Sequence, residues 1–293
     1  MSDYVEYDLQ NGKHHPYHLV NPSPWPVLSA FSAGLLAVGL ILWFHDVALT
    51  ETLKLGWANI LPGLAAVLAC MFFWWRSVLR ESMVEKVHNH ETERGLRYGM
   101  ALFISSEFMF FVAFFWAFFD ASTLVGQTYT PTKFELTGGQ WPPVGIHAIE
   151  AFGLPFLMTM ILLLSGCTVT WAHAAILDDK KDDTKKALWL TVALGTIFLF
   201  FQGYEYHHAE FGFADNIYTS TFFMATGFHG FHVLVGTIFL MVCAFRALAQ
   251  QFTPKAHFGF EAAAWYWHFV DVIWLFLFVA IYFWGNTIGV NLK

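Results

Sequence analysis

The 293-residue chain is 57% hydrophobic and 19% aromatic but only 13% charged, and its mean hydropathy is +0.50. A typical soluble domain is about one quarter charged, so this composition excludes a soluble globular domain and a disordered chain. The net charge of −7, with 15 Lys and Arg against 22 Asp and Glu, also excludes a nucleic-acid-binding protein, which needs clustered basic residues. Cys70, Cys167 and Cys243 lie far apart within apolar runs, which predicts buried free thiols rather than disulfides.

Seven apolar stretches are long enough to span a membrane, because roughly 20 helical residues cross the hydrocarbon core. In chain order they cover residues 26–44, 57–79, 98–119, 152–177, 187–206, 219–245 and 262–284. The sixth stretch is rich in Gly and Thr, and small residues let helices in a membrane approach closely. The sequence therefore predicts an all-α integral membrane protein with seven transmembrane helices.

Basic residues near the ends of these stretches predict the orientation, because Lys and Arg concentrate in the short loops on the inner side of a membrane. With the N-terminus inside, twelve of the 15 Lys and Arg residues fall on the inner side. Only Lys54, Lys133 and Lys293 fall on the outer side. We therefore predict that the N-terminus lies inside and the C-terminus outside.

Glu107 is the clearest ionisable residue within a stretch. It lies about ten residues into the third stretch and therefore roughly 15 Å deep, at about 1.5 Å per residue. Its neighbours on the same helix face are apolar, namely Phe103, Ile104, Phe110 and Phe111. Such surroundings disfavour the charged form of a carboxyl. Two interpretations stay open: a group that exchanges a proton, or a protonated acid that donates a hydrogen bond to a neighbouring helix.

The sixth and seventh stretches each carry two polar residues three positions apart, and such residues share one helix face. The pairs are His229 with His232 and His268 with Asp271. A carboxylate beside an imidazole fixes the imidazole tautomer and satisfies both groups, so we predict structural polar pairs. Haem ligation by these histidines is the alternative, since imidazoles that face each other at similar depth can hold an iron.

Two Glu-x-x-His patterns match the ligand unit that di-iron helical proteins use in pairs. They are Glu85-x-x-His88 and Glu205-x-x-His208. The predicted topology puts the first pattern on the inner side and the second on the outer side, a whole membrane apart. The two patterns therefore cannot share a metal cluster, and we predict no metal site in this chain.

Arg80 and Arg246 stand at the ends of the second and sixth stretches, on the predicted inner side. A guanidinium group can hold a phosphate through two parallel hydrogen bonds, which makes phospholipid headgroups candidate ligands. The alternative is that both side chains only extend to the membrane surface, as long basic side chains commonly do.

Several motifs together carry a resemblance to a known family. They are HLVNPSPWP (18–26), WWRSVLRES (74–82), GLRYGMALFISSEFMFFVAFFWAFF (95–119), WPPVGIH (141–147), ATGFHGFHVLVGTIFL (225–240) and HFGFEAAAWYWHFVDVIWLFLFVAIYFWG (257–285). From about His18 to Gly285, the chain resembles subunit III of the aa3-type cytochrome c oxidases. Chance similarity between apolar helices would not retain the order of Glu, Trp, His and Asp in the last motif.

The resemblance implies that two helices are separated from five by a lipid-filled cleft. The implied segments are a polar N-terminal segment (1–25), a two-helix bundle (26–79), an inner connection (80–97), a five-helix bundle (98–285) and an outer tail (286–293). It also implies that this chain binds no cofactor, because haem a and copper belong to the partner subunits I and II, which oxidise cytochrome c, reduce oxygen and pump protons. The chain itself would pack on subunit I, bind phospholipid and support proton uptake and turnover stability.

The resemblance also assigns residues. Glu107 matches the family's carbodiimide-reactive membrane carboxylate, and four residues match positions near bound lipid headgroups, namely Arg80, Glu81, His88 and Arg246. Because no second acid or base lies within one helical turn of Glu107, we predict that it is not on an obligatory proton-pumping route. Many relatives have a second histidine where this chain has Ala174, and the loop 178–186 also departs from the family pattern, so no role is transferred to either.

Two other functions are alternatives to this one. A stand-alone membrane metallo-oxidase would use the His and Glu residues of this chain as ligands. A transporter or proton channel would be built around Glu107, but it would usually show paired broken helices or an internal repeat, and neither is evident in the sequence.

The charged inner loop and the acidic N-terminus predict a bacterial plasma membrane, with the mitochondrial inner membrane as the alternative.

Overall fold

The computed structural model describes residues 6–7, 14–15, 22–46, 56–85, 88, 90–123 and 131–287. Seven helices within these ranges are long and apolar enough to cross a membrane. This finding confirms the predicted all-α fold with seven spans. The sides of the membrane on which the termini lie stay a prediction.

The helices, in chain order, are α1 (Trp25–Phe44), α2 (Leu61–Arg80), α3 (His90–Ser122), the short α4 (Pro131–Thr137), α5 (Leu154–Leu177), α6 (Lys181–His208), α7 (Ile217–Leu248), α8 (Phe258–Leu277) and the short α9 (Gly285–Thr287). A 3-10 helix, Gly56–Ile60, leads into α2. The π-helical segments Glu81–Glu85 and Phe278–Trp284 continue α2 and α8. Near the N-terminus, the two-residue strands β1 (Glu6–Tyr7) and β2 (His14–His15) pair antiparallel.

Residues in the first turns explain several helix starts. Pro26, Pro62 and Pro155 lie in the first turns of α1, α2 and α5, where a missing backbone N–H leaves no helical hydrogen bond unmade. The start of α7 is a capping box between Asn216 and Thr219. In it, the side-chain oxygen of each residue accepts from the backbone N–H of the other, at 3.0 and 3.1 Å.

The described residues fall into two compact units, Met1–Leu96 and Arg97–Lys293. The first unit contains a hairpin of α1 and α2. A Cβ atom added at Gly63 would lie 2.4 Å from the Cα atom of Leu36, so only glycine allows these two backbones to come so close. The hairpin therefore depends on a small residue where no water drives the helices together.

The second unit is built on four helices: α5 packs on α6, α6 on α7, α7 on α8, and α8 on α5. Its core contains the fully buried Trp267 and Trp274. Their indole N–H groups donate to the hydroxyl groups of Ser165 and Thr159 on α5, each at 2.9 Å. These two indole N–H groups are thus satisfied between helices, as an apolar surrounding favours.

The three cysteines are free, as predicted, but they differ in burial. Cys243 is buried, Cys70 is half-buried and Cys167 is exposed on α5. The prediction of a buried thiol was therefore wrong for Cys167. An apolar stretch in a membrane protein has one face towards the bundle and one away from it, so apolar neighbours in the sequence do not imply burial.

Candidate functional site

The carboxyl group of Glu107 lies against an imidazole of another helix. Glu107 is on α3 and His232 is on α7, and their Oε2 and Nε2 atoms are 3.0 Å apart. The side chains are 22% and 8% exposed, respectively. The structure thus joins Glu107, for which a hydrogen bond to a neighbouring helix was one of two open interpretations, to His232, which was predicted to pair with His229.

The second ring nitrogen of His232 determines where the protons of this pair lie. His232 Nδ1 is 2.7 Å from the backbone carbonyl oxygen of Phe228, one turn earlier on α7. Since a carbonyl oxygen only accepts, Nδ1 must donate, and a neutral imidazole then offers Nε2 as an acceptor. One shared proton therefore lies between Glu107 and His232, either on a carboxylic acid that donates to the ring or on an imidazolium that donates to a carboxylate.

Aromatic rings surround this pair. The ring centroid of His232 is 4.9 Å from that of Phe111 and 5.9 Å from that of Phe110, and it stacks on the ring of Tyr266 at 6.3 Å. These rings keep the local dielectric low, which strengthens the hydrogen bond and raises the cost of leaving either group unpaired. The hydrogen bonds of this pair run from Glu107 to His232 and end on the backbone carbonyl of Phe228.

Of the two predicted polar pairs within a helix, the structure brings only His268 and Asp271 together. His229 does not bond to His232; its Nε2 donates to the backbone carbonyl of Val270 on α8 at 3.2 Å. His268 and Asp271 do face each other, with Nδ1 and Oδ2 3.7 Å apart. This distance is within ion-pair range but longer than a hydrogen bond.

A buried cluster around Glu205 was missed by the sequence reasoning, which considered Glu205 only as part of a Glu-x-x-His pattern. The hydroxyl of Tyr282 donates to Glu205 Oε1 at 2.6 Å, and Gln202 Nε2 lies 3.5 Å from the same oxygen. His208 instead bonds through Nδ1 to the carbonyl of Tyr204 on its own helix, at 2.9 Å. The spacing of three between Gln202 and Glu205, near the end of an apolar stretch, is the sequence signal that could have indicated this cluster.

A second missed contact joins α3 to the start of α8. Arg97, on α3, donates to Glu261, on α8, from Nε to Oε1 at 3.3 Å and from Nη2 to Oε2 at 3.0 Å. The guanidinium also lies over the ring of Phe258, 5.9 Å from its centroid. Two parallel hydrogen bonds fix both distance and orientation, so this pair sets how α3 at Arg97 lies against the first turn of α8.

The residues predicted to hold lipid headgroups lie in both units. Arg80 is exposed in the last turn of α2, and Glu81 follows it, accepting from the hydroxyl of Ser77 at 3.4 Å. His88 is half-buried in the same unit. In the second unit, Arg246 Nε donates to the side-chain oxygen of Gln251 at 3.1 Å. The lipid-binding role of these residues stays a prediction.

A protein metal site needs several donor side chains close together. Within the described ranges, no three His, Cys, Asp or Glu residues are grouped so that they could hold a metal ion. The side chain of Glu85, from the first Glu-x-x-His pattern, lies outside the described part of the chain. Two of the described carboxyl groups make the contacts given above, Glu107 with His232 and Glu205 with Tyr282.

Comparison with known proteins identifies the family. The chain matches the family model described as cytochrome c oxidase subunit III over residues 15–286. The cytochrome c oxidase subunit 3 of Oncorhynchus mykiss is 52% identical over 272 residues, which are 93% of this chain and 98% of that protein. Those of Nanger granti and Damaliscus lunatus are 50% and 49% identical, with the same coverage. The chain therefore belongs to the cytochrome c oxidase subunit III family.

Proposed function

We propose that the chain is a non-catalytic subunit that packs on subunit I of its oxidase, beside subunit II, while electrons pass from cytochrome c to oxygen. As a family member, it is a multi-pass membrane subunit of the cytochrome c oxidase complex, an oxidoreductase of the respiratory chain. In this proposal, haem a and copper are held by the partner subunits and this chain holds neither. The match over residues 15–286, nearly the whole chain, is the observation that carries the proposal.

Purification through a tag on this chain tests the proposal directly. We expect the purified material to show the absorption spectrum of haem a and to contain two larger redox subunits. The chain expressed and purified alone should contain neither iron nor copper in stoichiometric amount. Stoichiometric metal in the isolated chain, or a tagged chain that purifies without any haem protein, would contradict the proposal.

We expect Glu107→Gln to leave oxygen consumption and proton pumping within about a factor of two of the wild type. A glutamine amide can donate to His232 Nε2 as the protonated acid does, so the hydrogen bond is kept while the exchangeable acid is lost. The contact of His232 Nδ1 with the Phe228 carbonyl gives a proton no titratable group to move to. Oxygen-electrode rates and proton ejection in vesicles measure the two activities.

Loss of pumping with normal oxygen consumption in Glu107→Gln would show that the carboxyl is an obligatory proton carrier. That result would revive the alternative of a proton channel centred on Glu107. The contact with His232 at 3.0 Å favours a structural role for the carboxyl, since it satisfies both groups between α3 and α7. Transport by the chain reconstituted alone would be the stronger result against the proposed function.

Arg80, Glu81, His88 and Arg246 are proposed to hold phospholipid headgroups and so to support turnover stability. We expect the double variant Arg80→Ala, Arg246→Ala to lose tightly bound phospholipid and to shorten the working life of the enzyme several-fold before it lowers the initial rate. Each guanidinium can form charge-assisted hydrogen bonds to a phosphate. Arg76→Ala is the matched control, because Arg76 is exposed on the same helix as Arg80, one turn earlier.

Mass spectrometry of the retained lipids and the decay of activity during turnover measure the two effects. Equal lipid content in the double variant and the wild type would count against headgroup binding by these residues.

For the membrane itself, we propose a bacterial plasma membrane, with the mitochondrial inner membrane as the alternative. The animal origin of the relatives above supports that alternative, and fractionation of the source cells distinguishes the two.

A further inference from the structure

One face of α8 carries a polar side chain that is open to the outside of the bundle. The side chain of His268 is 47% exposed. Large apolar residues follow it along the same face at helical spacing, and all are exposed: Val272, Phe276 and Val279. We call the surface formed by Thr170, His268, Val272 and Phe276 the α5–α8 face. A face of this kind normally contacts lipid, but an imidazole does not suit that surrounding.

The depth of His268 makes its exposure informative. It lies seven residues after Glu261, whose carboxylate is paired with Arg97 near the start of α8. At about 1.5 Å per residue, His268 is therefore about 10 Å deeper in the membrane than this ion pair. Hydrocarbon offers no hydrogen bonds at that depth, so an open imidazole there needs a protein partner.

Hydrogen bonds within the unit use one ring nitrogen of His268. The Thr170 hydroxyl donates its only proton to the carbonyl of Gly166 at 2.9 Å. Its oxygen, 3.3 Å from His268 Nε2, can then only accept, so Nε2 carries a proton. In the neutral ring, Nδ1 is left as an acceptor, and it faces Asp271 Oδ2 at 3.7 Å, beyond hydrogen-bond distance.

Asp271 adds a second unfilled acceptor beside His268. Its side chain is held against α5 at Gly166, where an added Cβ atom would lie 2.5 Å from Asp271 Oδ2. Asp271 is only 6% exposed, and its Oδ1 has no hydrogen-bond partner within the described ranges. An imidazole and a carboxyl group thus lie side by side, and each has one atom that makes no hydrogen bond within the described ranges.

We propose that the α5–α8 face is covered by a transmembrane helix of another subunit, which presents a hydrogen-bond donor at the level of His268. The proposal rests on the proposed function, since it requires that the chain sits in a complex. The apolar residues Val272 and Phe276 supply the packing surface, and the His268–Asp271 pair supplies the polar contact that fixes depth and rotation. A lipid tail could cover the apolar residues but has no donor for the pair.

Photolabelling from the lipid phase tests whether this face is covered. A small hydrophobic diazirine, trifluoromethyl-phenyl-diazirine, partitions into the bilayer and marks side chains that touch it. We expect labelling of Val272 and Phe276, normalised to the whole chain, to be at least threefold lower in the complete complex than in the purified full-length chain. Equal labelling in both samples would mean that lipid covers this face, and would overturn the proposal.

Variants of His268 test the polar contact. We expect His268→Leu to lower the fraction of this chain that stays bound through detergent purification of the complex by at least threefold. His268→Asn should restore most of the binding, because an amide keeps both donor and acceptor capacity. Phe276→Leu, an apolar change on the same face, is the matched control. Equal retention in the Leu and Asn variants would overturn the role of His268.

The outcomes separate this inference from the proposed function. If the wild-type chain does not purify with a haem protein, the proposed function fails. If it does, but Val272 and Phe276 stay labelled, only the assignment of the α5–α8 face fails. The melting temperature of the isolated His268→Leu chain must match that of the wild type; a large drop would show that His268 acts within the unit, and this would also overturn the proposal.

Discussion

Replacing Trp267 with Ala is expected to lower the free energy of unfolding by about 3–5 kcal/mol, the usual cost of removing a large buried aromatic side chain. Trp267 is fully buried on α8, and its indole N–H donates to Ser165 on α5 at 2.9 Å. Its ring also lies against Gly195 on α6 and Gly236 on α7, where added Cβ atoms would be 2.7 and 2.9 Å from ring atoms. The variant therefore removes contacts to three helices at once.

Unfolding of the full-length chain in detergent, followed by circular dichroism, measures this loss. Trp116→Ala is the matched control, since Trp116 is 74% exposed on α3 and loses little protein packing. Trp267→Phe should be intermediate, because it keeps most of the ring volume but loses the donor to Ser165. A Trp267→Ala chain as stable as Trp116→Ala would mean that the four-helix core does not depend on this side chain.

The sequence was sufficient to predict the number of spanning helices, because each of them is a long apolar run. The sequence predicted the ends of these helices less accurately. The third and fifth helices were predicted at 98–119 and 187–206, whereas the structure shows His90–Ser122 and Lys181–His208. Charged residues in the outer turns interrupt the apolar pattern but not the helix. A hydropathy boundary therefore marks the edge of the hydrocarbon core, not the end of the backbone hydrogen bonding.

The partners of the buried polar groups were predicted less completely. Periodicity shows that His229 and His232 share a face of α7, but the direction of that face depends on how α7 is rotated against α3 and α8. In the structure, His232 meets Glu107 and His229 meets the Val270 carbonyl. Depth was the usable signal: Glu107 lies about ten residues from the inner end of its stretch, and His232 about thirteen from the inner end of its own. Groups at similar depth on neighbouring helices are candidates to pair.

The polar groups within the spans differ in how completely the second unit satisfies them. Both ring nitrogens of His232 are hydrogen-bonded: Nε2 to Glu107 and Nδ1 to the backbone carbonyl of Phe228. His268, by contrast, has one nitrogen bonded and one at 3.7 Å from a carboxyl that also has an unfilled oxygen. Glu107 and His232 hold helices of this chain together, whereas we expect the exposed His268 to contact another chain. This difference separates residues that stabilise the unit from residues that we expect to act in assembly.

A double-mutant cycle on Glu107 and His232 should reveal a direct energetic coupling. We expect Glu107→Leu and His232→Leu each to cost about 1–2 kcal/mol of unfolding free energy, in the upper range for hydrogen bonds between membrane helices. Each single variant leaves the other polar group unpaired among the rings of Phe110 and Phe111. The double variant removes both polar groups, so it should cost less than the sum of the two single changes.

The size of the coupling also reports the charge state of the pair. A neutral acid bonded to a neutral imidazole predicts a coupling of about 1 kcal/mol, whereas breaking a buried ion pair leaves an uncompensated charge and costs about 3–5 kcal/mol. Glu107→Gln is the matched control, because its amide can still donate to His232 Nε2 and should cost little. Additive effects in the cycle would mean that the 3.0 Å contact contributes no stability. A structural role would then not explain a carboxyl group within the membrane, and proton exchange would become the better interpretation of Glu107.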